Sequence, residues 1–172
     1  MTGQVLLASI PSLIVMFTAI YMINRNAKKE HDLKRMELAV NNRKIVTPLR
    51  FQAYERVIIF LERITPNSII VRLQTPKMTA GQLHKELLEL IRAEYEHNLS
   101  QQLYLSSGSW EKVRTAKELT IQLINNAADK VKPEANAMEL SREIFDRLIE
   151  KDKAPTHEAI EALKKEVAQL FQ

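Results

Sequence analysis

Apolar and polar positions divide this chain into three stretches. Val5 to Ile23 reads VLLASIPSLIVMFTAIYMI, nineteen residues without a charged side chain. At ~1.5 Å per residue a helix of that length reaches ~28 Å, close to the hydrocarbon thickness of a bilayer. Ser9, Ser12 and Thr18 can bond back to the helix backbone. Pro11 is tolerable in lipid, and Tyr21 falls where an interfacial aromatic belongs. The pattern predicts a membrane-spanning helix, residues 1–23. The first residues carry no basic side chain and no A-x-A pattern follows, so a cleaved signal peptide fits poorly.

Residues 24–46 read as a charged helical stalk continuing the span. Leu33, Met36 and Val40 recur at three- and four-residue steps, a thin apolar stripe that suits self-association or docking more than a core.

Residues 47–172 carry the periodicity of a packed helical domain. Thr47-Pro48 is a start signal, a capping residue followed by proline. Phe51, Tyr54, Val57, Ile58, Leu61 and Ile64 then form a wide apolar face. Thr65-Pro66 closes that helix, and Asn67 to Leu73 reads as a short one. Thr79 with Gln82 forms a capping box. It opens a helix carrying Leu83, Leu87, Leu90 and Ile91 that extends to about Leu105. Ser106 to Ser109 is the clearest turn, with Ser109 capping a helix that begins at Trp110, itself a core anchor. Two further helices follow, one from about Met138 and one after Ala154-Pro155-Thr156. The last has Ile160, Leu163, Val167 and Leu170 in a/d spacing over only one and a half heptads, which favours packing within its own domain. No segment sustains a strand period. The fold class is all-α: one membrane helix, a stalk, and a bundle of about five helices.

Charge sharpens this division. The chain has 25 basic and 21 acidic residues, a net charge of +4. Residues 24–44 hold seven basic side chains against three acidic ones, which accounts for the whole excess. The remainder is neutral, so a nucleic-acid domain with its own basic patch is not indicated. The excess adjoins the apolar stretch. There Arg25, Lys28, Lys29, Lys34 and Arg35 are candidates for contact with lipid headgroups. Basic flanks stay on the cytoplasmic side, which predicts an N-terminus outside and a C-terminal domain in the cytoplasm.

Candidate chemistry is sparse. There is no cysteine, and three glycines leave no room for a phosphate loop. His31, His84, His97 and His157 form no HxxxH pair. Glu94 and His97 make one E-x-x-H spacing, half of what a di-iron bundle uses. No catalytic, cofactor or metal residue is assigned, and no cofactor or small-molecule substrate is expected. A dense polar run remains: Arg92, Glu94, His97, Asn98, Gln101 and Gln102 are the candidate surface for a protein partner.

The block LRFQAYERVIIFLERITPNSIIVRL, followed by MTAGQLHKELLELIRAEYEHNLSQQLYLS and SWEKVRTAKE, resembles a family of small bacterial proteins with a domain of unknown function. The resemblance covers roughly residues 49–118. It implies one membrane helix, a helical cytoplasmic region and a bacterial inner-membrane setting, and brings no catalytic assignment. The expectation is a non-catalytic scaffold or interaction protein with membrane lipid and a protein partner or second copy as partners. The alternatives are anionic-lipid or nucleic-acid binding by the stalk, and an enzyme with an unrecognised site.

Overall fold

The computed structural model describes residues 2–151 and 153–170, with side chains from Val15 onward. Among the described residues the chain is all-helical. The elements are α1 (Thr2–Arg63), α2 (Pro66–Leu73), α3 (Ala80–Asn98), a 3-10 turn (Leu99–Leu103), α4 (Ser107–Ala128), α5 (Ala137–Glu150) and α6 (His157–Gln169). The chain divides into two compact units, Met1–Thr47 and Pro48–Gln172.

The first unit holds the greater part of α1. Side chains of residues 5–14, within the expected span, lie outside the described residues. Among the described residues no helix is long and apolar enough to cross a membrane. From Val15 to Val46 every side chain is exposed.

One expectation is overturned at the boundary. Thr47-Pro48 does not begin a helix, because α1 runs through it to Arg63. Proline inside a helix forfeits a backbone hydrogen bond, at ~3 kcal/mol. Ala53, Tyr54 and Val57 are buried within the next turns of the same helix, and such packing overrides a local break signal.

The second unit is a helical bundle with one core. The last turns of α1 contribute Val57, Phe60 and Leu61, the turn after it Ile64, and α3 Leu83, Leu87 and Ile91, all at most 1% exposed. Val113 and Ile124 of α4, Leu140 and Ile144 of α5, and Leu163 of α6 complete it. Helix α4 packs on α3, α5 and α6. Ile160 and Leu163 of the a/d series in α6 are buried here. Two helix–loop–helix pairs, α2–α3 and α4–α5, join through their loops. Thr79 and Asn136 form a single antiparallel bridge. The Ala80 amide donates to the Ala135 carbonyl at 2.8 Å and the Ala137 amide to the Met78 carbonyl at 3.0 Å. Gly81 sits so close that an added Cβ would lie 3.2 Å from Pro133.

Local signals account for most helix ends. Thr79 and Gln82 form the full capping box. The α4 cap is Ser106, not Ser109. The Ser106 hydroxyl accepts from the Ser109 amide, and Ser109 is itself buried in the first turn. Helix α3 stops at Asn98 rather than near Leu105. The Asn98 side chain turns back to donate to the Glu94 carbonyl at 2.8 Å, its backbone sits at φ −101°, ψ 2°, and a tight 3-10 turn follows. Trp110 is half-buried, stacked on Tyr95 with ring centroids 5.7 Å apart. Met138 and Ile149 of α5 are 63% and 77% exposed.

Candidate interaction surface

The six polar residues of the expected partner surface do not share one environment. Arg92, His97 and Gln102 are exposed, Glu94 and Gln101 are partly covered, and Asn98 is buried. Glu94 is a tie between helices. Its carboxylate lies 2.8 Å from the Arg63 guanidinium of α1 and 3.6 Å from that of Arg72 in α2. The Asn98 amide group is spent on the Glu94 backbone. What faces solvent is Arg92, Glu96, His97 and Gln102, together with Leu99 and Leu103 of the 3-10 turn, 42% and 80% exposed. Sequence reasoning missed the two leucines because it continued α3 through them as a helix. An apolar pair among polar neighbours has the make-up of a small contact site.

Two ionisable groups with shifted titration lie elsewhere. Glu166 of α6 accepts from the Tyr54 hydroxyl at 2.8 Å and from the Ser106 amide at 2.9 Å, and its second oxygen accepts from the Ser106 hydroxyl at 2.7 Å. Arg50 reaches the Tyr54 hydroxyl at 2.9 Å and the Tyr104 carbonyl at 3.1 Å, and stands 3.6 Å from Glu166. Burial pushes the Glu166 carboxyl up, but hydrogen bonds from Ser109, Ser106 and Tyr54 outweigh it and hold the group below its usual range. Burial, then the bond to Glu166, pushes the Tyr54 phenol above its usual value. Acid–base work requires an approach for substrate. Tyr54 is 2% exposed and Glu166 already holds three short bonds. This cluster joins α6 to the end of α1 and to the cap of α4.

A groove of about 540 Å³ lies between α2 and α5. Val71 (80% exposed), Pro76 and Met138 give it an apolar lining, edged by Glu139 and Arg142. It holds no nucleophile beside a base. Among the described residues no three His, Asp or Glu side chains are grouped to hold a metal ion.

Arg25, Lys28, Lys29, Lys34 and Arg35 are all exposed on α1. At ~100° per residue, Lys28 and Arg35 share one side, Arg25 and Lys29 an adjacent one, and Lys34 lies opposite Arg25. Four of the five thus lie within an arc of about 120°, and Lys34 lies outside it.

The fold and its surfaces define an all-helical protein with a long charged helix and a separately packed helical bundle. By sequence the chain belongs to the family of unknown function DUF7935, which matches residues 2–170. No curated protein and no solved structure matches it.

Proposed function

We propose that this protein is a non-catalytic, single-pass membrane-anchored interaction protein. Residues 5–23 lie in the lipid of a bacterial inner membrane, and the unit 48–172 docks a protein partner in the cytoplasm. The observation that carries this reading is the order of charge along α1. An uncharged stretch of nineteen residues is followed at once by the whole positive excess of the chain, and then by a neutral domain. The Arg92–His97–Leu103 region is the favoured docking surface, since its exposed leucines sit among hydrogen-bonding groups.

Membranes from cells expressing the full chain, washed with ~1 M salt to screen charges and then with alkaline carbonate to strip peripheral proteins, test the reading. Retention through both washes is expected. Release by salt alone favours the second reading, an electrostatic lipid contact through the basic collar. Release without any wash refutes both. For the docking surface, Leu103→Glu should abolish partner cross-linking while the bundle unfolds at an unchanged temperature. Undiminished cross-linking removes that surface from the proposal.

A further inference from the structure

The described part of α1 before Thr47 has no side chain under cover. Leu33, Met36 and Val40 are 60%, 69% and 54% exposed. A helix in water draws most of its stability from a packed face, so this one needs a partner. Leu33, Met36 and Val40 are spaced as a, d and a of a heptad. Continuing the same steps toward the N-terminus gives Lys29, Asn26, Met22, Ala19 and Val15. The phase set in the charged stretch therefore enters the uncharged stretch on Met22 and continues on the smaller Ala19 and Val15. The bulky Phe17, Ile20 and Tyr21 fall off the seam. Helices meet in lipid through small residues and turn bulky ones to the acyl chains. Two stretches under different packing rules thus select one face.

We infer that two copies of this chain pair in parallel along α1, through the heptad seam from Val15 to Val40. Two observations and the proposed anchoring point to a second copy of the chain. Asn26 occupies an a position, where a polar side chain opposite its own counterpart fixes register in a two-stranded coil. In a parallel pair each g residue faces the e residue of the next heptad on the other chain, which sets Arg25 against Glu30, opposite charges. A common membrane holds both helices in the same direction. The inference rests on the proposed anchoring in that last respect. The next g–e step opposes Asp32 and Glu37, like charges, and this weak point makes the register testable.

The chain contains no cysteine, so single-cysteine variants report one position each. The full chain would carry Leu33→Cys, Met36→Cys or Val40→Cys on the seam, or Leu38→Cys or Ile45→Cys on the opposite side. Each is oxidised in washed membranes. Dimers should form at 33, 36 and 40 and not at 38 or 45. In the Val40→Cys background, Glu37→Lys turns the opposed like charges into two attractive pairs and should raise the association constant about fivefold. Equal cross-linking at all five positions, preference for 38 and 45, or a fall with Glu37→Lys overturns the seam. Protein that stays in the washed membranes without any cross-link refutes the pairing and leaves the anchor standing. Protein lost in the wash refutes both.

Discussion

The stalk and the bundle use the same apolar residue types and treat them in opposite ways. Leu83, Leu87 and Ile91 of α3 are fully buried, whereas Leu33, Leu38 and Ile45 of α1 are about 60% exposed. The difference lies in how the residues are arrayed. In α3 the apolar positions follow at steps of four and merge into a broad face that other helices cover. In the stalk, Leu33, Met36 and Val40 lie on one side, and Leu38 and Ile45 on the other. Neither stripe is wide enough to hold a core. Burial is therefore a property of the arrangement of apolar residues and not of their number.

This contrast can be broken most sharply in the core. Leu87→Ala removes a fully buried side chain and should cost about 2–5 kcal/mol in thermal or denaturant unfolding of the full chain in mild detergent. Met36→Ala, which removes an exposed side chain, should leave the bundle transition where it is. Equal effects would erase the distinction between the two regions.

The tie at Glu166 sharpens it further. Glu166→Gln leaves bonds to Tyr54 and Ser106 mismatched and should cost about 1–3 kcal/mol. The sign with pH is fixed by the direction of each shift. The Glu166 carboxyl is lowered on folding, so its contribution is complete above the ordinary carboxylate pKa of ~4.3 and fades as pH falls through the lowered value. The Tyr54 phenol is raised, so its contribution is complete below ~10 and fades as pH rises through the raised value. Unfolding curves of the two proteins should converge in acid. A gap that stays constant down to pH 2 (far below the ordinary range) would contradict the assignment.

A smaller effect is expected at Glu94. Both arginines it binds are substantially exposed, 48% and 38%, so solvent screens the pair. Glu94→Gln should cost about 1 kcal/mol in the same unfolding experiment. A larger loss would mean that the carboxylate, itself 12% exposed, carries more of the junction between α1, α2 and α3 than its partners' exposure implies.

Which features were legible in the sequence follows from the range of the forces involved. The Thr79–Gln82 capping box and the short helix before it are local, and both stand as read. Thr47-Pro48 is equally local but misleads, because packing of Tyr54 and Val57 outweighs the missing hydrogen bond. Asn98 carried a signal that was not used: an amide side chain at the end of a helix can turn back on the carbonyl four residues earlier. The Glu166 tie was not legible. It joins residues 112 and 60 positions apart, and nothing in Lys164-Lys165-Glu166 distinguishes that glutamate from a solvated one. The candidate surface was half legible. Its exposed polar members stood out, and its leucines did not.

The central claim is that the uncharged opening of α1 lies in lipid and the cationic stretch after it in water. Single cysteines at Phe17 and Ile20, and at Lys28 and Lys34, in the otherwise cysteine-free full chain would place that boundary, using a water-soluble maleimide on intact membranes. Cysteines at 17 and 20 should stay unlabelled until the membrane is dissolved, while those at 28 and 34 react at once. Equal labelling at all four positions before detergent would contradict the claim.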